Sequence, residues 1–214
     1  WPRGRVIGGS GSINGLVFLR GSPRDYDRWA QAGARGWSYE ACLPAFKAIE
    51  TWEGPPSELH GTEGPIRKGP TRDLSPAGRA FVAACLAAGQ PACPDFNGAW
   101  YEGAAPNPLN VSGGRRISSA RACLKPARSR PNLRVLTGVR AHRVVVAEGR
   151  ARAVEGRGPA GPARWTARRE VIVSAGAIES PKLLMHSGIG DAARLAEFGI
   201  APVLHAPGVG QNLQ

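Results

Sequence analysis

The chain has 214 residues, 42% of them hydrophobic and six of them Trp, enough apolar matter for a buried core and too much for wholesale disorder. Its net charge of +12 comes from 24 Arg and only four Lys, spread from Arg3 to Arg194 with no block of five. Nucleic-acid binders concentrate charge on one face or along one helix, so even scatter argues against that class, and no nucleic-acid partner is expected. The four Cys (Cys42, Cys85, Cys93, Cys123) and four His (His60, His142, His186, His205) are dispersed without metal-ligand spacing. No metal is expected, and the cysteines read as reduced thiols in a cytoplasmic setting, with membrane association left open. No apolar run approaches the roughly 20 residues a membrane-spanning helix needs.

In chain order the first feature is GRVIGGSGSINGLVF, Gly4 to Phe18. Four glycines fall between Gly8 and Gly15, which makes this either a turn or a place where main-chain amides reach a ligand. It lacks the Lys of a Walker A loop. A G-x-G-x-x-G fingerprint starting at Gly9 and Gly11 fails at Asn14, and too few residues precede it for the strand that motif requires.

Ser22 and Pro23 then suit the N-cap and first position of a helix, with Gly33 and Gly36 interrupting it. Ser38 caps a second helix with Leu43, Phe46 and Ile49 on its apolar face, and Pro44 predicts a kink or two short pieces. Residues 51–74 read as loop with a short edge strand. Ser75, Pro76 and Gly89 bracket a third helix. SSARACLKPA predicts a short helix ended by Pro126.

From LRVLTG onward the pattern is that of a β-meander through AHRVVVAEG, RARAVEG and ARWTARR. EVIVSAGA has consecutive apolar residues, Val171 to Val173, which predicts a strand buried on both faces. It leads through Gly176 to Ser180 and Pro181, read as a helix start, and Asp191 caps a last helix that stops at Gly199. The fold class read from these elements is α/β. A strand–Gly–helix step of this kind exposes amides and a positive helix end at a sheet edge, although most such steps hold no ligand.

Two segments carry a specific resemblance. GRVIGGSGSINGLVFLRGSPRDYD agrees at Gly4, Arg5, Ile7, Gly8, Gly9, Ser10, Gly11, Ile13, Asn14, Phe18, Gly21 and Asp27 with one signature of the glucose–methanol–choline (GMC) family of flavin-dependent alcohol oxidoreductases. GAIESPKLLMHSGIG agrees with the other through Gly176, Ser180, Pro181, Leu183, Leu184, Ser187, Gly188 and Gly190. RGWSYEACLPAFKAIE, PDFNGAWYEGA, RPNLRVLTG and PGVGQNLQ also resemble the family, so the likeness covers nearly the whole chain, most closely its bacterial choline dehydrogenase branch.

The resemblance implies a partial FAD-binding domain of Rossmann-like, GMC type. Residues 38–130 form its inserted helical and loop region, and residues 131–214 return to the FAD-binding sheet. Val6, Gly8, Gly9 and Ser10 would lie along the flavin and its pyrophosphate. Asn14, Gly15, Leu16 and Val17 would sit beside the isoalloxazine ring. Ala141 would offer a main-chain contact on the adenine side, and Ser174, Ala175 and Gly176 would flank the cofactor at the second signature. Ile13 stands where some relatives carry a flavin-linking His, which implies noncovalent FAD.

The function implied is oxidation of a small-molecule alcohol to an aldehyde or ketone, with hydride passing to flavin N5. An FAD-retaining lyase of the same family and a basic nucleic-acid-binding module are the alternatives. The family's G-x-G-x-x-G turn and its catalytic His with a His or Asn partner match nothing here, so no catalytic residue is assigned. The chain reads as a piece of a longer protein, expected to bind FAD weakly or not at all alone. Electron acceptor and oligomeric state are left open.

Overall fold

Capping chemistry sets where the helices of the first unit begin. In the computed structural model, which describes residues 1–213, α1 spans Pro23–Gln31, and the Ser22 N–H donates to the Asp25 carboxylate at 3.0 Å. Helix α2, Tyr39–Ile49, starts where the Ser38 hydroxyl accepts from the Ala41 N–H at 3.3 Å. Pro44 does not divide it: α2 is one helix, and the carbonyl deprived of a partner belongs to exposed Glu40. Strands β1 (Glu50–Trp52) and β2 (Ile66–Lys68) pair in parallel, with Glu50 opposite Ile66. Helix α3, Pro76–Ala87, is capped by the Ser75 hydroxyl and stops before Gly89.

Strands β3 (Val111–Ser112) and β4 (Arg115–Arg116) form a hairpin around Gly113 and Gly114. Both glycines have positive φ, 56° and 68°, as a tight hairpin turn requires. A π-helical turn, Ala120–Leu124, continues into α4, Lys125–Ala127. Pro126 therefore lies inside α4 rather than ending the preceding turn.

The chain divides into two compact units, Trp1–Leu133 and Arg134–Gln214. In the second, β5 (Arg140–Ala147), β6 (Arg150–Gly158) and β7 (Gly161–Thr166) form the expected antiparallel meander in that order. LRVLTG is not one of its strands, and its Leu133, Val135 and Leu136 stay exposed. Helix α5 (Gly176–His186) packs on β5 and is followed by β8 (Ile189–Gly190), α6 (Ala192–Glu197) and β9 (Leu204–His205). The Asp191 carboxylate caps α6 by accepting from the Arg194 N–H at 3.0 Å.

Two expectations for this unit need correction. Residues 171–175 form no strand: Ile172 is 78% exposed, and no strand of the described residues pairs with this run, so the local β preference of its apolar residues has no ladder to join. Helix α5 begins at Gly176, ahead of Ser180 and Pro181, because the Ser180 hydroxyl reaches back to accept from the Ala175 N–H at 2.9 Å.

Ser187 joins α5 to the sheet. Its hydroxyl donates to the Leu183 carbonyl at 2.6 Å and accepts from the N–H of buried Val144 at 2.8 Å. Ser187→Ala leaves that buried N–H without a partner, and the expected loss is about 1–3 kcal/mol. Denaturant unfolding of the intact protein checks it, and an unchanged midpoint would contradict this role.

Buried apolar side chains are few among the described residues: Val144, Ala153 and Leu195 in the second unit, Cys93 and Ile117 in the first. At the centre of the first unit lie Glu50, His60, Lys68 and Asn97 instead. Its core is a polar network.

Candidate functional site

The glycine-rich stretch folds back on itself. A short 3-10 turn, Gly9–Ser12, follows Gly8, whose φ of 94° excludes most side chains. A Cβ on Gly8 would also run into the Ser12 hydroxyl, and one on Gly4 into the Gly9 carbonyl. The Ser10 hydroxyl accepts from the Gly4 N–H at 3.2 Å, and Ser12 donates to the Ile7 carbonyl at 3.0 Å. These glycines are needed by the turn itself.

Gly9, although it too has a positive φ of 57°, and Gly15 differ in their surroundings. An added Cβ there would meet no protein atom within 4 Å. Around them Val6 (57%), Ile7, Ile13 and Val17 are exposed apolar side chains. No Asp or Glu occurs before Asp25, whereas Arg3 and Arg5 do and are exposed. The loop thus presents bare backbone, an apolar surface and positive charge, and its residues fit a large, flat, anionic ligand such as FAD.

Residues 106–120 hold the loop from behind. The Asn110 N–H donates to the Leu16 carbonyl at 3.0 Å and the Phe18 N–H to the Pro108 carbonyl at 3.0 Å. Arg116 on β4 grips Asn14 at two points. Its Nη1 donates to Asn14 Oδ1 at 2.6 Å and its Nη2 to the Asn14 carbonyl at 2.7 Å. Asn14 Oδ1 also accepts from the Leu16 N–H at 3.1 Å, across a backbone where Leu16 has a φ of 69°.

Just past the loop, Arg20 anchors the chain to the polar core. Its Nη2 is 2.6 Å from Glu50 Oε1, its Nη1 donates to the Leu59 carbonyl at 2.7 Å, and its N–H donates to Asn97 Oδ1 at 2.8 Å. Asn97 Nδ2 donates to the Phe18 carbonyl at 3.1 Å. Glu50 Oε1 also meets His60 Nδ1 and the Gly61 N–H, each at 2.9 Å, and His60 Nε2 lies 2.7 Å from Asp95 Oδ2. Lys68, with no exposed surface, places Nζ 2.6 Å from Glu50 Oε2 as an ion pair without aligned hydrogen-bond geometry, and over the Phe18 ring at 4.7 Å. Trp52 stacks on His60 at 4.1 Å.

Burial pushes the Glu50 carboxyl up. Hydrogen bonds from His60 and the Gly61 N–H, with the positive charge of Lys68, outweigh it and hold the group at about 2. Burial lowers the Lys68 ammonium, and Glu50 only partly offsets this.

Of the residues singled out from sequence, Val6, Gly8, Gly9, Ser10, Asn14, Gly15, Leu16 and Val17 share this one loop of the first unit. The other four lie in the second. Ala141 is exposed on β5 opposite Gly156, where an added Cβ would strike the Arg140 carbonyl. Ser174 and Ala175 are exposed, and Gly176 turns into α5 with a φ of 94°. Sequence reading missed Arg116, Asn97 and the Glu50 cluster. Their partners lie 30 to 102 positions away for Glu50 with Arg20 and Arg116 with Asn14, and no local pattern marks such pairs.

The architecture is an α/β framework carrying a glycine-lined loop, and comparison with known proteins gives its family. The family model for GMC oxidoreductase matches residues 1–214, and the chain belongs to that family. It is 47% identical over 213 residues to an oxygen-dependent choline dehydrogenase of Brucella anthropi, covering all of this chain and 39% of that relative. The crystal structure of pyridoxine 4-oxidase from Mesorbium loti is similar at a TM-score of 0.88 and 38% identity, over 97% of this chain and 41% of that one. An FAD-dependent oxidoreductase from Chaetomium thermophilum superposes at 0.91 with 29% identity, over 99% and 39%. The chain spans well under half the length of these relatives. Among the described residues no helix is long and apolar enough to cross a membrane.

Proposed function

We propose that the intact protein is an FAD-dependent oxidoreductase acting on CH–OH groups of a small alcohol, choline-like in class. The observation that carries this reading is the loop itself, where Gly9 and Gly15 leave uncontested space beside exposed Val6, Ile13 and Val17. Family membership and the choline dehydrogenase relative support the same conclusion. Bound FAD would accept the hydride that leaves the alcohol carbon as it becomes a carbonyl.

The chain's own part is binding and orientation. Val6, Gly8, Gly9 and Ser10 offer main chain to the pyrophosphate and ribityl region, and Asn14 to Val17 lie beside the ring. The family resemblance supports Ala141 and Ser174 to Gly176 as further main-chain contacts to the cofactor. Residues 38–130 form the inserted region and 131–214 return to the FAD-binding sheet. Ile13 is a hydrocarbon side chain with no atom able to bond the flavin, so the cofactor is held noncovalently.

Purification of the intact protein tests all of this. It is expected to be yellow, to release its flavin into the supernatant on acid precipitation, and to bleach anaerobically on addition of choline or a related small alcohol. A colourless protein that takes up no FAD would overturn the reading. Flavin that stays with the acid pellet would overturn its noncovalent part.

A further inference from the structure

We infer that Arg116 is a positioning residue that fixes the Asn14 amide with its NH2 outward, as a hydrogen-bond donor to an acceptor atom of the flavin; this rests on the function proposed above. A guanidinium has donors only, so the end of the amide facing Arg116 Nη1 at 2.6 Å is the oxygen. The Leu16 N–H, also a donor, points at the same Oδ1 from 3.1 Å. Two donors thus fix one rotamer of a group whose ends otherwise exchange freely. Asn14 is exposed, and Nδ2 is left for an acceptor outside this network.

The grip is more than a single contact. Nη2 takes the Asn14 carbonyl at 2.7 Å, and Nη1 also approaches the Gly11 carbonyl at 3.3 Å. A planar fork can hold side chain and main chain of one residue together, which a lysine point charge cannot. Leu16 keeps its unfavourable φ of 69° while bonded to the oxygen that Arg116 holds. Orientation of Asn14 and shape of the loop are therefore one device. Arg116 reaches it from β4, and Gly113 and Gly114 turn the chain just ahead of that strand.

Asn14→Asp separates this role from general support of the loop. The carboxylate still accepts from Arg116 and Leu16, so the clamp survives, but the outward group becomes an acceptor. In the intact protein stripped of flavin, Asn14→Asp is expected to melt as the parent does. Its Kd for FAD should rise at least about tenfold, the usual scale for losing one hydrogen bond and burying a mismatched charge. Arg116→Met should raise the Kd comparably and change the visible circular dichroism of the bound flavin, and Arg116→Lys should recover only part of both.

Asn14→Asp binding FAD like the parent, with the same visible spectrum, would overturn the inference while leaving the cofactor reading intact. So would an Arg116→Met protein in which neither the Kd nor the circular dichroism changes. A parent protein that takes up no FAD would overturn both.

Discussion

Glu50→Gln is expected to lower the stability of the intact protein by about 3–5 kcal/mol, the cost of breaking a buried ion pair from one side. The substitution keeps the shape of the side chain, so packing does not explain the loss. Arg20, His60, Gly61 and Lys68 all turn donors or positive charge toward this carboxylate. An amide in either orientation sets its NH2 against one of them and removes the carboxylate charge paired with Arg20 and Lys68. The thermal midpoint should fall by on the order of 10 °C.

Lys68→Met is the contrast. Glu50 Oε1 then keeps Arg20, His60 and the Gly61 N–H, and the methionine chain rests against Phe18 and Trp52, but Oε2 loses its partner, so the loss should be smaller than for Glu50→Gln, about 1–3 kcal/mol. Equal losses from the two variants would show that the network is not centred on Glu50.

The same carboxylate shapes the acid response. Its folded pKa of about 2 lies below the ordinary 4.5, so between these values the unfolded chain takes up the proton more readily. Its stabilisation is complete above about pH 4.5 and is lost as pH falls toward 2. The gap between parent and Glu50→Gln should therefore narrow over that window. A gap that stays constant from pH 6 down to about 2 would contradict the assignment.

Gly15→Val should abolish flavin retention and leave the protein folded. Nothing lies within 4 Å of the position its Cβ would take, and Gly15 is not among the residues with positive φ. The branched side chain would occupy space beside Asn14 and Val17 that the proposed function gives to the isoalloxazine ring. The affinity for FAD should fall more than about tenfold, from overpacking a contact that has no room to relax.

Gly8→Val makes the control, because its side chain strikes Ser12 and Ala120 and strains a backbone at φ 94°. It should damage the loop whether or not FAD is present. A Gly15→Val protein with a full complement of flavin would mean that the open space beside this glycine is not the cofactor's.

What was readable from the chain alone is local. Ser22, Ser38, Ser75 and Asp191 announce helix starts because a cap bonds within three residues of itself, and the meander shows in strands joined by short turns. The glycine loop and the two signatures carried the family, since close backbone approach leaves its mark directly in residue type. Where the reading failed, tertiary context had overruled a local preference. The apolar run Val171 to Val173 lies extended and unpaired among the described residues, and Ser180 caps from inside the helix that Pro181 was expected to open.

The tertiary structure alone decided the rest. Glu50 sits in a sequence reading as a helix end, and only folding brings Arg20, His60 and Lys68 around it. Arg116 is one arginine of 24 until the hairpin places it against Asn14. Charge and hydrogen-bond partners recruited across many residues leave no periodic trace in sequence, because their energy depends on distance in space and on burial, and both exist only once the chain has folded.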